Sequence, residues 1–206
     1  MYTPPHFSET DDARIAALCA AYPLAAVVAM TAEGPLVNHL PLLRDGDGFQ
    51  GHVALANPMH RQIAPDTPVV AIFTAAQGYV SPNWYPSKGV THKAVPTWNY
   101  QVVHVHGQLS FSHEDRDKRR AVSLLTSHHE RATNGADGWR MGDAPADFLQ
   151  AMLDGIVAMR LTVHRVEAKS KLNQNRAPGD VASVIDALES VGNRGLAAAM
   201  RGVRPS

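Results

Sequence analysis

The sequence has few of the features that are typical of secreted, membrane-spanning or DNA-binding proteins. Its 206 residues include one cysteine, so no intrachain disulfide can form and a reducing compartment is expected. The 19 basic and 19 acidic residues balance, which gives no electrostatic reason to expect direct DNA binding. No apolar run approaches membrane-spanning length, and the first residues lack a basic-then-apolar signal pattern. We therefore expect a cytoplasmic protein with no membrane partner.

Signature motifs of common enzyme classes are also missing. The sequence contains no Gly-x-Ser-x-Gly nucleophile elbow, no phosphate-binding loop and no Cys-x-x-Cys pair. Cys19 lies on the apolar face of a predicted helix, where a thiol is expected to be inert core. Hydrophobic residues make up 45% of the chain, which is enough for a sizeable core.

Hydrophobic periodicity predicts a chain of mixed helices and strands. We expect a helix that is capped by Ser8 or Thr10 and ends near Ala21. Three strands follow, separated by glycine-containing turns, as in the opening meander of a small antiparallel barrel. The first of these strands is nearly all apolar, so both of its faces should be covered. The strands are predicted at 24–31, 36–43, 49–54, 69–74, 97–112 and 156–168, and residues 78–81 either continue the strand before them or begin the next one. Helices are predicted at 114–131 and 145–153 and, in two short pieces, at 181–201.

A proline-stiffened aromatic loop leads into the longest predicted strand. The run from Val95 to Gly107 places Trp98, Asn99 and Tyr100 just before alternating valines. A polar-aromatic loop that continues into a rigid strand can hold a flat ligand against a fixed wall. The alternative is a strand with an ordinary entry loop, and the residues alone leave both interpretations open.

Asn57 and Pro58 predict the start of a short helix through about Ile63, with asparagine as N-cap and proline at the first helical position. Free N–H groups at a helix N-terminus suit a phosphate, and Arg61 lies within the helix. A plain connector helix is the alternative.

Histidine is abundant, with eleven residues. His104 and His106 lie on one face of the long strand, a spacing that can chelate a metal. Two ligands do not make a stable site, so we expect histidines without metal. His128 and His129 are neighbours on a predicted helix, so their side chains point in different directions and cannot form an i,i+4 pair.

Six blocks of the sequence, in order and nearly end to end, resemble the PaiB family, whose members are described as FMN-binding negative transcriptional regulators with an FMN-binding split β-barrel. The blocks are residues 1–7, 38–42, 51–58, 79–85, 95–107 and 169–176. The last resembles the family's closing Lys-Leu-Ser-Gln-Asn motif, with Asn173 where serine is usual.

The resemblance implies an α+β fold, namely an antiparallel split β-barrel of about six to seven strands with peripheral helices. It implies a barrel domain over residues 1–175 and a helical tail over 176–206 packed on it. It also implies FMN as cofactor and a homodimer whose cofactor site takes residues from both subunits. The cofactor-binding residues it implies are His39, Leu40, Asn57, Pro58, Arg61, Trp98, Asn99, Tyr100, Gln101, Lys171, Gln174, Asn175 and Arg176.

The chain departs from related split barrels in its phosphate ligands. Pyridoxamine-phosphate-oxidase-like barrels usually carry several basic residues for the FMN phosphate, whereas residues 38–41 here contain no arginine or lysine. Phosphate binding would then depend on the short helix, Arg61, and Lys171 or Arg176. We accordingly expect modest FMN affinity.

Three functions remain open at this point. A PaiB-type repressor follows from the resemblance, acting as a sensor or with a partner, since DNA binding is not supported by charge. An FMN-dependent oxidoreductase acting on a small substrate is the first alternative, although no residue stands out as an acid or base. A haem-binding or haem-degrading split barrel is the second alternative, which the histidine count allows.

Overall fold

The computed structural model describes residues 1–203, and this part of the chain forms an eight-stranded sheet and seven α-helices. In chain order the sheet strands are β1 (Ser8–Glu9), β2 (Leu24–Thr31), β3 (Gly34–Pro41), β4 (Leu43–Asp45), β5 (Gly48–Ala54), β6 (Pro68–Val80), β7 (Thr97–Ser112) and β8 (Ile156–Lys171). The helices are α1 (Asp12–Ala21), α2 (Met59–Gln62), α3 (Lys88–Thr91), α4 (Asp115–Asn134), α5 (Ala146–Asp154), α6 (Pro178–Ser190) and α7 (Arg194–Arg201).

The strand order along the sheet is β3-β2-β6-β7-β8-β5-β4, and β1 pairs with β8. The pairs β2–β3, β2–β6, β4–β5 and β5–β8 are all antiparallel. The sheet and its helices confirm the predicted α+β class. Residues 204–206, at the end of the predicted tail, lie outside the described part of the chain.

Local sequence explains the start of α1, although the predicted cap is wrong. The Asp11 carboxylate accepts hydrogen bonds from the backbone N–H groups of Ala13 and Arg14, at 2.9 and 3.2 Å. Asp11 therefore satisfies the free donors of the first turn, which had been expected of Ser8 or Thr10. Ser8 instead pairs with Lys169 in the sheet.

The strand β2 has the predicted bounds but not the predicted environment. Its exposure alternates, with Ala25, Val27 and Ala29 buried, while Leu24 and Met30 are 60% and 61% exposed. The expectation that both faces are covered is therefore wrong for the single chain. An apolar side chain every second residue remains in contact with solvent.

The strand β6 joins residues 69–74, which were predicted as one strand, to residues 78–80. The sequence left open whether residues 78–81 continue that strand or begin the next one. In the structure the chain continues through Gly78 to Val80 without a break. A Cβ at Gly78 would lie 2.5 Å from the Asn193 side-chain nitrogen, so the glycine allows a close approach instead of ending the strand.

The described chain separates into two compact units, each built from non-contiguous segments. Unit 1 comprises Met1–Leu18, Thr74–Val103 and the chain from Glu167 onward, and unit 2 comprises Cys19–Phe73 and His104–Val166. The core of unit 1 packs Val80 and Tyr85 against Leu172 and the inner faces of α6 and α7. In unit 2 the rings of Phe49 and Phe73 lie 5.2 Å apart within the buried face of the sheet.

No helix within residues 1–203 has both the length and the apolar character that crossing a bilayer requires.

Candidate functional site

Trp98 is a largely exposed aromatic side chain that is nevertheless held in place. Half of it, 50%, is accessible to solvent, and its indole N–H donates a hydrogen bond to the Gln77 side-chain oxygen at 3.1 Å. The ring of Tyr79, itself 46% exposed, meets it edge-on with centroids 6.5 Å apart. Unit 1 therefore presents a fixed aromatic surface to which a flat ligand can bind.

Lys171 lies beside this surface at the end of β8. Its ammonium donates to the Trp98 carbonyl oxygen at 2.9 Å and to the Thr97 hydroxyl. Partial burial lowers the pKa of Lys171; the negative charge of Tyr100 when ionised would raise it, and the positive charges of Lys169 and Arg176 lower it further. An anion that bound here would relieve this repulsion.

Two more cations complete the cluster in unit 1. The Lys169 ammonium donates to the Tyr2 carbonyl oxygen at 3.1 Å and lies 5.2 Å from the centre of the Tyr100 ring. The Arg176 guanidinium lies 5.0 Å from the centre of the Tyr85 ring. Within residues 1–203 no carboxylate forms an ion pair with these two cations or with Lys171. We call Lys169, Lys171 and Arg176 the cation cluster.

Not every predicted residue near Trp98 is available to a ligand. Asn99 is completely buried, and its amide nitrogen lies 3.6 Å from the Met200 sulfur in the α7 core. The Gln174 carboxamide is engaged by the backbone, accepting from Leu172 N–H at 2.7 Å and donating to the Ser170 carbonyl oxygen at 2.5 Å. These two side chains therefore shape unit 1 from within. Gln101 donates to the Ser170 hydroxyl at 3.0 Å, and Asn175 is exposed.

The closing motif of the chain, residues 169–176, contacts the loop of residues 81–86, which is rich in aromatic residues and proline. Asn173 has a left-handed backbone, with φ 65°, and its amide donates to the Tyr85 hydroxyl at 3.1 Å. Asparagine tolerates this conformation better than most residues, which gives a physical reason for asparagine at this position. Asp180, which is 5% exposed, accepts hydrogen bonds from the Ser87 N–H and hydroxyl at 3.0 and 2.6 Å.

The short helix α2 in unit 2 has fewer free N–H groups for a phosphate than its sequence suggested. The Asn57 side-chain oxygen accepts the Met59 N–H at 3.0 Å, and its amide donates to the Asn38 side chain at 2.8 Å. Pro58 precedes the helix, which has only four residues. One of the N–H groups that a phosphate could use is thus already satisfied by the protein.

The remaining predicted residues of unit 2 lie on different surfaces. On β3, His39 is exposed and Leu40 is buried, since neighbouring residues of a strand face opposite sides. Arg61 is exposed and lines a cavity between α2 and β7.

The histidines of unit 2 show one unusual environment. His52 has a buried Nδ1 with no hydrogen-bond partner among the described residues, and burial lowers the pKa of its imidazole. The rings of His104 and His106 are half-buried with centroids 6.3 Å apart.

Sequence reasoning missed three contributors to the aromatic and cationic surface, namely Gln77, Tyr79 and Lys169. A signal for Lys169 existed, because residues two apart on a strand share a face and Lys171 had been selected. Gln77 lies between the two segments predicted as strand, and Tyr79 was noted only as part of the block 79–85, so neither was selected as a site residue.

Comparison with known proteins places this geometry in a family. Residues 1–165 match the family described as "Putative FMN-binding domain". The chain is 29% identical over 197 residues to "Protease synthase and sporulation protein PAI 2" of Bacillus subtilis, covering 94% of this chain and 91% of that protein. It is 26% identical to an uncharacterized protein of Aspergillus fumigatus, covering 70% and 67% of the two chains.

Solved structures share the fold at low identity. The FAD and heme binding protein from Mycobacterium smegmatis superposes with a TM-score of 0.61 at 20% identity, covering 85% of this chain and 79% of the other. The flavocytochrome Anf3 from Azotobacter vinelandii gives 0.57 at 14% identity, covering 80% and 69%. This likeness confirms the predicted fold class, an antiparallel split β-barrel with peripheral helices.

The family match covers most of the chain, and the relative in B. subtilis aligns almost from end to end. The description of the matched family names the cofactor that was predicted from sequence. This protein therefore belongs to the PaiB family of FMN-binding domains, and its cofactor is FMN.

Proposed function

We propose that this chain is a cytoplasmic, homodimeric PaiB-type flavoprotein that acts as a negative regulator of transcription. The observation that carries the proposal is the cation cluster of unit 1. Among the described residues no carboxylate forms an ion pair with this cluster, and the same unit exposes Trp98. A flat ring bearing a phosphate has the two properties that this surface complements.

The residues present fit FMN. Lys171 and Arg176 bind the phosphate, because charge-assisted hydrogen bonds to phosphate are among the strongest that a protein forms. Trp98 stacks on the isoalloxazine, while Tyr100, Gln101 and Asn175 supply polar contacts at the ring edge. When bound, FMN supplies reversible one- or two-electron chemistry. The protein holds the ring, neutralises the phosphate and limits access of water.

Unit 2 supplies the second set of candidate contacts, namely His39, Asn57, Pro58 and the backbone of Leu40, whose side chain is buried. We propose that these residues approach the flavin of the partner subunit. Arg61 is left out of the phosphate site, because Asp66 lines the same cavity and its negative charge would repel a phosphate dianion.

The dimer is proposed from the apolar outer face of the β2–β3 hairpin. Cross-strand pairs on this face are Leu24 with Pro41, Val28 with Val37 and Met30 with Pro35. The exposed face also carries His39, and β3 ends the strand order. An apolar face next to an unpaired edge strand favours association with a second copy.

The direct test is a fluorescence titration of the purified protein with FMN and with riboflavin, which lacks the phosphate. Replacing Lys171 with methionine keeps the length of the side chain and removes its charge. We expect Lys171→Met to weaken FMN binding about tenfold or more and to leave riboflavin binding nearly unchanged. Equal losses for both ligands would show that Lys171 does not bind the phosphate.

Regulation requires its own experiment, because the balanced charge of the chain does not favour direct DNA contact. We expect the protein to act as a flavin-dependent sensor or through a partner. A mobility-shift assay with its own upstream DNA should then show only weak binding, equal for unrelated DNA of the same length. Tight, sequence-selective and salt-sensitive binding would show that the protein grips DNA itself.

The same preparation separates regulation from catalysis. Rapid bleaching of bound FMN by NADH or NADPH would identify an oxidoreductase. A Soret band on addition of haemin, lost when His39, His104 or His106 is replaced, would identify a haem protein.

A further inference from the structure

Unit 2 contains a cavity that the FMN proposal does not use. It has a volume of about 740 Å³ and lies between α2, the loop that follows it and the C-terminal half of β7. This volume is within the range of about 300–1,000 Å³ that is common for small-molecule sites. The cavity has room for a ligand of several heavy atoms beyond its polar group.

The lining carries one cation and one carboxylate that do not neutralise each other. Arg61 and Asp66 both line the cavity, and no ion pair joins them or links either side chain to another group within residues 1–203. Both side chains are exposed. A ligand with a single negative charge would meet attraction at Arg61 and repulsion at Asp66, whereas a zwitterion can satisfy both.

Part of the cavity wall is apolar, and the rest carries the polar residues His60, Gln108, Ser110 and Thr162. Ile63 and Leu109 are 6% and 8% exposed, and Phe111 is half-buried beside them. The His60 ring meets the Phe111 ring with centroids 6.3 Å apart and is held by a 3.1 Å hydrogen bond to the Leu55 carbonyl oxygen. The apolar part of the wall can bury an aliphatic or aromatic side chain.

The carboxylate is carried on a fixed turn. Asp66 has a left-handed backbone, with φ 64°, and its carbonyl oxygen accepts a hydrogen bond from the Gln108 amide at 3.2 Å. Gln108 also lines the cavity, on β7. The loop is thus tied to the strand opposite, which limits the positions that the Asp66 carboxylate can take.

We propose that this cavity binds an α-amino acid with an apolar side chain. The ligand carboxylate pairs with Arg61, the ammonium pairs with Asp66, and the side chain packs on Ile63, Leu109 and Phe111. This site lies in unit 2 and is independent of the FMN surface of unit 1.

Isothermal titration calorimetry with phenylalanine tests the proposal, with phenylacetate and phenethylamine as probes that each lack one charge. We expect phenylalanine to bind at least tenfold more tightly than either analogue. Asp66→Asn should weaken phenylalanine and phenethylamine but not phenylacetate. Arg61→Gln should weaken phenylalanine and phenylacetate but not phenethylamine.

The variants have suitable controls. Asparagine is well tolerated at a left-handed position, so Asp66→Asn preserves the turn. Arg116→Gln removes a guanidinium whose side chain is 93% exposed on α4 and should leave phenylalanine binding unchanged. Failure of phenylalanine to bind, equal binding of phenylalanine and phenylacetate, or displacement of phenylalanine by FMN would each overturn the proposal.

Discussion

Lys171 is the residue whose protonation should control cofactor affinity. Burial, Lys169 and Arg176 lower the pKa of its ammonium in the free protein, and a bound phosphate would raise that pKa again. FMN affinity is therefore greatest while the Lys171 ammonium of the free protein is protonated. The affinity declines as pH rises through the pKa of Lys171, which lies below the usual value of 10.5. We expect the dissociation constant to increase between neutral pH and pH 10 in a fluorescence titration.

The control for this pH dependence is the Lys171→Met variant. Its FMN affinity should be lower than that of the wild type and should change less with pH over the same range. Lys93→Met, at an exposed lysine in the loop before β7, should retain the wild-type profile. An alkaline decline that persists unchanged in Lys171→Met would assign the titration to another group.

Cys19 should be chemically silent in the folded protein. Burial raises the pKa of its thiol to about 12, with a smaller opposing effect from the positive charge of Arg44. Only the thiolate reacts readily with disulfide reagents, and at pH 8 almost none is present. We expect no labelling by Ellman's reagent at pH 8 under native conditions and one equivalent after unfolding in urea. Rapid labelling of the native protein would contradict the burial of Cys19.

For single residues, the sequence motifs identified which side chains lie near the site better than they identified which of them face solvent. Trp98 and Lys171 could be selected because an exposed tryptophan loop and a C-terminal lysine matched family motifs. Asn99 and Gln174 came from the same motifs, yet their carboxamides bond within the protein. Neighbouring residues of a strand or turn face opposite directions, and a motif does not state which of them faces solvent.

Among the elements, α3 and its loop should depend on α6 through a single carboxylate. Replacing Asp180 with alanine leaves the Ser87 N–H and hydroxyl without their partner in a mostly buried position. We expect a loss of about 1–3 kcal/mol in the free energy of unfolding, measured by urea denaturation. Asp186→Ala, at an exposed position of the same helix, should change stability much less. Equal effects would mean that the Ser87 contact contributes little.

Gly107 should be irreplaceable in β7. A Cβ at this position would lie 1.8 Å from the Thr162 carbonyl oxygen, which is backbone and cannot move aside cheaply. We expect Gly107→Ala to cost about 3 kcal/mol or more, or to prevent soluble expression. Gly142→Ala has no heavy atom near its added carbon and should be close to neutral. Thermal denaturation of both variants compares them, and a stable Gly107→Ala protein would require a different path for β8.

The elements themselves were largely predictable because periodicity is a local property. The bounds of β2 and β7 agree with the alternation of their residues. The break between α6 and α7 contains Gly192 and Asn193, as the sequence predicted. The sequence left the continuity of β6 open. Gly78 is needed there because Asn193, distant in the sequence, packs against it, and a local pattern contains no information about that contact.

At the scale of the whole molecule, the outer face of the β2–β3 hairpin should control association. Replacing Met30 with glutamate places a charge in the middle of the proposed apolar interface, where burial without a partner is costly. We expect light scattering coupled to size exclusion to report a dimer for the wild type and a monomer for Met30→Glu. Val90→Glu changes an 84% exposed valine in α3 and should remain dimeric.

A wild-type monomer, or a Met30→Glu protein that stays dimeric at micromolar concentration, would contradict the proposed interface. The sequence could suggest association because the barrel class leaves an open face. It could not identify the face, since the strand was expected to be covered on both sides.

The family match ends at residue 165, whereas the core of unit 1 includes residues beyond that position. Val80 and Tyr85 pack against Leu172 and against apolar residues of α6 and α7, all of which follow that boundary. A chain shortened to the matched segment would leave these two side chains facing water and would lack Lys171 and Arg176. The limit of recognisable similarity is consequently a poor guide to where a functional fragment of this protein can be cut.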